Sequence, residues 1–585
     1  MCSIIGYVGK SDAAPILVKS LHRMEYRGYD SVGVATHDND SICMRKGTGR
    51  VQEVNDQKGL DALSGVTGLG HTRWATHGAV TDINAHPHMS SSGDVAIVHN
   101  GVVENHETLR DRLKEDGYTF ASETDSEVIA NLLQYHKDRT GDIKESLINT
   151  IQDIQGHYAF IAMFDDGAMV SARYGEPLIV GMAENGIFLS SDVLGFIEHT
   201  DEAIYLESGM CCIIQNNDVQ IMDYAGNVIK HRTTTVSKEF GDTRMGEYAN
   251  YTLKEIHEQP NAILRAGMNS HKQMEQVSDM IRSAGFAYAT GSGTSYNAAL
   301  IGQKILRRSA GIRLEVILSS EMSAESDMLR SGDVLLAISQ SGESADVLDA
   351  VRIAKKAGCV IVCMVNSVNS SLAKISDVIL LMDCGQEIGV AATKSFMAQC
   401  GLLLRLVDTL TDGAGIDHNK ISNAISDVIS NSDMIRDVAY TLGDTKDVYV
   451  LGRGIHHSVA LEAALKIKEL TYIHAEGLNG GEMKHGPLAL IDKSSVVIVM
   501  NPHDDTYNDM LLGAREVQAR GGTIIGVSDK SSDVYDHWIG IPSGDGVTYS
   551  LAEVVVSQLL AYYTALARDI NPDYPRNLAK SVTVK

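Results

Sequence analysis

Ala287-Tyr-Ala-Thr-Gly-Ser-Gly-Thr-Ser-Tyr296 runs from an apolar strand pattern into a Gly/Ser loop and on into a helical pattern. Val448-Tyr-Val-Leu-Gly-Arg-Gly-Ile-His-His457 repeats that grammar about 160 residues later, the mark of an internal duplication. Later pieces keep the offset, since Ala354-Lys-Lys-Ala-Gly-Cys-Val-Ile-Val362 answers Val517-Gln-Ala-Arg-Gly-Gly-Thr-Ile-Ile525. Strand runs alternating with helical patterns argue for parallel α/β units. Two copies of one doubly wound domain are therefore predicted, although unrelated α/β units share the same strand–turn–helix grammar.

The first 240 or so residues read differently. Val95–Val98, Tyr158–Phe164 and Ile187–Ser190 are short apolar runs at close spacing, which predict antiparallel strands. A helical pattern covers Ser126 to His136, so an α+β sandwich is expected. Polar residues dominate 231–250, which is read as a linker leading into a helix over Tyr251–Glu258 that Pro260 should end. The expected domains are 2–230, a linker at 231–250, 251–430, 431–575 and a tail at 576–585.

Length and composition bound the function. A chain of 585 residues with 44% hydrophobic content is globular and long enough for three to five domains of roughly 100–200 residues. No apolar run is read as reaching the roughly 18–20 residues of a membrane span, and no secretory pattern opens the chain. A cytoplasmic location without membrane contact is expected. Net charge is −25, from 75 acidic and 50 basic residues, and no Lys/Arg run offers a nucleic-acid face. An anionic small substrate needs only local positive charge. Among the eight cysteines no pair has Cys-x-x-Cys spacing, and all but Cys2 are expected in cores.

Cys2 follows the initiator Met1. Removal of that residue would put a thiol and a free α-amine on one residue, with the amine pKa near 8, which joins nucleophile and base. Position alone does not make a cysteine catalytic, but its context adds chemistry. Arg73, in His71-Thr-Arg-Trp-Ala-Thr-His-Gly78, suits a carboxylate. Asn100 and Gly101 are oxyanion-hole ingredients. Asp125 offers an anion to an ammonium group. Each also has a plain reading, as a surface ion pair, a hairpin turn and a helix cap.

Taken together, Cys2, Glu25-Tyr-Arg-Gly-Tyr-Asp-Ser31, His71–Gly78, Asn84-Ala-His-Pro-His88, His99-Asn-Gly101 and Ser122-Glu-Thr-Asp125 resemble the glutamine–fructose-6-phosphate aminotransferase (isomerizing) family, over essentially the whole chain. The resemblance implies an N-terminal-nucleophile sandwich followed by two sugar isomerase (SIS) domains. It implies Cys2 as nucleophile and Asn100 and Gly101 as oxyanion hole. Arg73, Thr76, His77 and Asp125 would hold glutamine, with Trp74 as a gate on the ammonia path. Ser3 stands where the family usually has Gly.

Leu335-Leu-Ala-Ile-Ser-Gln-Ser-Gly-Glu-Ser344 leads from a strand into a hydroxyl-rich turn before a helix at Ala345. Ser339, Gln340, Ser341 and Ser344 would surround a helix N-terminus that suits a phosphate dianion. The same residues also read as ordinary turn and cap chemistry. By resemblance this is the phosphate loop of the first SIS domain, and the second copy has Met500-Asn-Pro-His503 in its place. Ser292, Gly293, Thr294 and Ser295 resemble the loop that holds the open-chain sugar, with Ser292 where Cys is frequent, and Val390, Ala391 and Ala392 resemble another wall.

Lys466 and Glu469 share one face of a predicted helix over Ala460–Glu469. The resemblance makes Glu469 the base that moves a proton between C1 and C2, with Lys466 beside it, and His485 the acid/base that opens the ring. It makes Lys580 the Schiff-base lysine of a closing tail and places Ala579 against the sugar. Glutamine and fructose 6-phosphate are the expected substrates, with no metal or other cofactor and a homodimeric assembly. Two rival functions fit the sequence less well. A phosphoribosyl amidotransferase needs a pyrophosphate loop that is not found, and a non-catalytic sugar-phosphate sensor has no use for Glu469, His485 and Lys580 together.

Overall fold

Alternation along the strand Val95–Val103 sets the architecture of the N-terminal part. Ala96 and Val98 join a buried cluster with Ile4, Leu69, Ile161 and Val180, while Val95 and Ile97 join another with Val128, Leu132 and Ile151. A strand buried on both faces lies between two layers. The computed structural model describes residues 2–38, 41–75, 78–215, 218–231, 233–236, 245–268, 270–411, 413 and 416–581. The chain divides into two units, Met1–Thr243 with Ala579–Lys585, and Arg244–Leu578.

Among the described residues, the first unit has two antiparallel sheets. The eight-stranded one runs Thr234–Thr235, Glu202–Tyr205, Ile179–Ala183, Gly186–Ser190, Ser3–Gly9, Thr67–Arg73, Ser31–Asp38, Ser41–Thr48. The six-stranded one runs Asp218–Asp223, Met210–Gln215, Met169–Tyr174, Gly156–Phe164, Val95–Val103, His88–Met89. Their inner faces share one core. The helices Glu127–Thr140 and Ile143–Asp153 cover the outer face of the smaller sheet, and Ala13–Met24 packs on the larger. This is the expected sandwich. Cys43 departs from expectation: it is exposed, because Ser41–Thr48 is an edge strand with neither face fully covered. The other cysteines expected in cores are buried.

The second unit holds two five-stranded parallel sheets with one shared order. In the first, Ala287–Gly291 lies between Leu314–Leu318 and Val334–Ile338, followed by Val360–Val365 and Val378–Leu381. In the second, Asp447–Gly452 lies between His474–Asn479 and Val496–Met500, followed by Thr523–Ser528 and His537–Gly540. Numbered along the chain, both read 2-1-3-4-5, and ligands of such sheets bind where the order reverses, outside the carboxyl ends of strands 1 and 3. The repeat is thus a repeat of topology.

Two sequence expectations need correction here. Pro260 does not end a helix at 258; Tyr251–His257 stops first, and Pro260 sits in the opening turn of Gln259–Arg265, where a missing N–H costs nothing. Gly546–Ala567 is long and apolar enough to cross a membrane by length and composition. Of its most apolar window, 83% is buried in the second unit, where Leu551, Val555 and Leu559 are core residues.

Candidate active sites

Strand register places the thiol. Ser3 pairs with Thr72 and Ser31 with Arg73, which sets Cys2 beside the end of the Thr67–Arg73 strand. The Trp74 N–H donates to Cys2 Sγ at 3.2 Å, and the thiol contacts the Trp74 carbonyl at 3.4 Å. Burial pushes the thiol above its ordinary range, and the Trp74 N–H and Arg73 pull only partly back. Such a thiol needs a base to ionise it. Ser3 fits without strain on its hydroxyl, which is buried and donates to Met24 O at 2.9 Å.

Asn100 and Gly101 lie within the Val95–Val103 strand rather than in a hairpin turn. Asn100 Nδ2 donates to the Cys2 carbonyl at 3.1 Å, and its Oδ1 is a buried acceptor with no partner among the described residues. Gly101 has φ +108°, and a Cβ there would sit 2.0 Å from His157 O. No other residue fits. Arg73 is buried and donates to Ala79 O and Gly78 O, both at 3.2 Å. Asp125 accepts the Val103 N–H at 2.8 Å, and Ser126, not Asp125, is the cap residue of Glu127–Thr140. The structure thus brings Cys2, Trp74 and Asn100 into direct contact. Thr76 and His77 lie outside the described residues.

Residues to which the sequence assigned no role complete this site. Arg27 Nε donates to the Cys2 carbonyl at 3.3 Å, beside Asn100. Lys46 Nζ donates to Ile83 O, Ala85 O and Pro87 O at 3.1, 2.6 and 3.0 Å, and burial lowers it to about 8. Asn84, in the same loop, donates to Ala79 O at 3.0 Å and to Glu123 at 3.1 Å. His71, His86 and His88 are buried side by side.

In the second unit the loops that follow strands 1 and 3 of the first sheet flank the switch point. Ser292 and Gly293 are exposed, Thr294 is buried, and Ser295 accepts from Gln399 Nε2 at 3.1 Å. Ser339 Oγ accepts the Gly342 N–H at 3.1 Å and lies 3.2 Å from Ser344 Oγ, while Ser341 Oγ accepts the Glu343 N–H at 3.1 Å. Gln340 O accepts the Asn366 N–H at 3.1 Å. The turn is held by its own hydroxyls ahead of the helix Ala345–Lys356. Val390 and Ala391 are buried and Ala392 partly so, on a loop braced by Glu387, which accepts from Thr393 N, Ser395 N and Ser395 Oγ at 2.9, 3.0 and 2.6 Å.

The helix Ile455–Thr471 belongs to the second copy yet faces the first. Lys466 is fully buried; its Nζ donates to Glu469 Oε2 at 2.5 Å and to Thr294 Oγ1 at 3.0 Å, and lies 3.5 Å from Glu462 Oε1. Burial opposes its charge, but Glu469 and Glu462 outweigh burial and hold the ammonium above the usual lysine range. Glu462 accepts from Thr294 Oγ1 at 3.1 Å and Asn297 Nδ2 at 2.8 Å. Glu462 and Asn297 were missed, although Glu462 precedes Lys466 by one helical turn and shares its face. His485 is exposed on the turn Met483–His485, and its ring makes no hydrogen bond among the described residues. Ala579 and Lys580 are partly buried and fall with the first unit, so the second unit holds every sugar-site candidate but those two.

The comparisons agree with this division. Residues 53–221 match the glutamine amidotransferase domain family, and residues 280–407 and 441–568 each match the SIS domain family. The fold and the sites therefore define a glutamine amidotransferase joined to a tandem pair of SIS domains. Glutamine–fructose-6-phosphate aminotransferase (isomerizing) of Pyrococcus horikoshii is 39% identical, and that of Thermococcus kodakarensis 38%, each with 100% of both chains covered. The chain belongs to the glutamine–fructose-6-phosphate aminotransferase (isomerizing) family. The solved C-terminal domain of glucosamine-fructose-6-phosphate aminotransferase from Francisella tularensis is 29% identical, with a TM-score of 0.51, and covers 56% of this chain and 99% of that one.

Proposed function

We propose that the chain converts D-fructose 6-phosphate and L-glutamine to D-glucosamine 6-phosphate and L-glutamate. The observation that carries this reading is the buried Lys466 ammonium locked to Glu469 beside the switch-point loops, in a chain whose Cys2 thiol also accepts the Trp74 N–H and whose Cys2 carbonyl accepts from Asn100. A carboxylate next to a fixed ammonium suits proton transfer between adjacent sugar carbons.

In the first unit, Cys2 attacks the glutamine amide, with the α-amine freed by removal of Met1 as base. One Nδ2 hydrogen of Asn100 stays with the Cys2 carbonyl, and the other joins the Gly101 N–H on the oxyanion. Arg73 and Asp125 hold the carboxylate and ammonium of glutamine, with Thr76 and His77 beside them and Trp74 gating the released ammonia. In the second unit, Ser339, Gln340, Ser341 and Ser344 take the phosphate at the helix N-terminus. Ser292, Gly293, Thr294 and Ser295, with Val390 and Ala392, line the open-chain sugar.

His485 opens the ring. Lys580 condenses with C2, expelling water, and Ala579 lies against the sugar. Channelled ammonia then displaces Lys580, and Glu469 carries the C1 proton to C2 to give the aldose. We place the enzyme in the cytoplasm as a homodimer, with domains at 2–230, 251–430 and 431–575, a linker at 231–250 and a catalytic tail at 576–585. The test is a product assay with the full chain, fructose 6-phosphate, glutamine labelled with ¹⁵N in the amide and excess unlabelled ammonium. Labelled glucosamine 6-phosphate is expected; no amino sugar refutes the function, and unlabelled product refutes the internal transfer.

A further inference from the structure

The segment that leads to Lys580 is fastened at its root. Pro572 and Asp573 are buried. Asp573 Oδ2 accepts the Tyr251 N–H at 2.9 Å, and its Oδ1 accepts the Thr252 N–H at 2.7 Å and hydroxyl at 2.8 Å, so it caps the helix Tyr251–His257 from far along the chain. The Thr252 hydroxyl also reaches Pro572 O at 3.1 Å. The backbone carbonyl of Asp573 accepts the Val390 N–H at 3.1 Å. On the same short helix, Glu255 accepts the N–H groups of Ile388 and Gly389. The wall that contains Val390 is therefore held on one side by Glu255 and on the other by Asp573.

A second fastening follows. The Arg576 N–H donates to Tyr472 Oη at 2.7 Å, and its guanidinium lies over the Tyr472 ring at 4.2 Å. Tyr472 ends the Ile455–Thr471 helix, at φ 59°, and Asn577 turns the chain at φ 61° just beyond. Both are left-handed conformations uncommon for residues with a side chain.

We infer that Asp573 is a positioning residue of the sugar site, an assignment that rests on the function proposed above. It ties the 388–390 wall to the root of the tail, so the surface that meets the sugar and the origin of the lysine-bearing segment are one piece. Tyr472 adds a second point, on the end of the helix that carries Lys466 and Glu469. Two fixed points set the direction in which the chain leaves at Asn577, and a misdirected tail loses effective concentration of its amine at C2.

The test uses the full chain and the variants Asp573→Ala, Asp573→Asn and Tyr472→Phe. The readouts are KM and kcat for fructose 6-phosphate, the fraction of C-terminal peptide trapped by borohydride with that sugar, glutamine hydrolysis without sugar, and the melting temperature. Asp573→Ala should lower kcat/KM for the sugar at least tenfold and the trapped adduct with it, leaving glutamine hydrolysis within about twofold. Asp573→Asn, which keeps one side-chain acceptor oxygen, should recover part of the loss. Tyr472→Phe, which keeps the ring, should raise KM at least threefold with an unchanged melting temperature. Wild-type kcat/KM and adduct yield per folded molecule in Asp573→Ala would overturn the inference and leave only a helix cap. Should that variant not fold, Asp573→Asn and Tyr472→Phe decide, and normal sugar kinetics in both overturn it. Wild-type protein that forms no amino sugar overturns the function and the inference together; wild-type activity with normal variants overturns the inference alone.

Discussion

At the scale of single residues, Cys2 and Gly101 predict different failures. Cys2→Ala removes the proposed nucleophile and little packing, so glutamine hydrolysis should vanish while isomerisation of the phosphosugar and the melting temperature persist; residual hydrolysis would point to another nucleophile. Gly101→Ala must place a Cβ 2.0 Å from His157 O at φ +108°. The N–H proposed to meet the oxyanion would shift, and loss of one such donor costs about 10²–10³ in rate. Glutamine turnover should fall by that factor and stability should fall too, read by thermal melting. Lys580→Arg retains charge but not the nucleophilic amine. Synthase activity should be lost and borohydride should trap no C-terminal adduct, and full activity in this variant would reduce the tail to a cover.

At the scale of elements, the turn Ser339–Ser344 supports itself before it meets any ligand. Ser339→Ala with Ser341→Ala deletes hydroxyls that accept the Gly342 and Glu343 N–H groups. Each lost hydrogen bond to a charged phosphate is worth about 1.5–3 kcal/mol. The double variant should raise KM for fructose 6-phosphate at least tenfold with KM for glutamine unchanged; equal shifts in both would place the phosphate elsewhere. Strand–loop–helix grammar made this turn and its partner Ser292–Ser295 legible from sequence, because both are local. Glu462 was half legible, through its spacing from Lys466 on one helix. Asn297, Asp573 and Tyr472 were not, since each acts through a partner more than 100 residues away that only the folded chain supplies. Cys43 and Pro260 failed for a related reason: burial at a sheet edge and the exact joint between two helices depend on neighbours rather than on pattern.

At the scale of the molecule, buried histidines of the two units respond to pH in opposite senses. Burial, with the neighbouring imidazoles and Arg73, holds His71, His86 and His88 well below the usual imidazole range. Above about pH 6.5 they are neutral whether folded or unfolded and add no slope. Below it the unfolded chain takes up protons that the folded unit refuses, so stability falls as pH falls. His456 in the second unit is the reverse. Burial opposes its charge, but Glu553 at 2.6 Å and Asp504 at 3.1 Å outweigh burial and push it up to about 10. Its contribution is complete below about pH 6.5 and is lost as pH rises from there toward 10. Hydrogen exchange should show Thr67–His99 losing protection between pH 7 and 5, and Asp447–Ala460 losing it between pH 7 and 9.5. A flat response of the first segment in acid would mean that those histidines already carry protons when folded.

The hydrogen bond from Asn297 to Glu462 joins the two copies of the repeat. Matching strand orders are what a tandem duplication leaves behind, and a duplicated gene is ordinarily free to lose either copy. Here the inheritance has been divided: one copy keeps the hydroxyl loops, and the other lends the helix that carries Glu462, Lys466 and Glu469. Neither half can then be discarded, and neither can be exchanged alone with a distant relative without separating a carboxylate from the amide and hydroxyl that hold it. Recombination should be tolerated in the polar stretch before residue 250 and punished between 408 and 440, so the unit on which selection acts in this part of the gene is the pair.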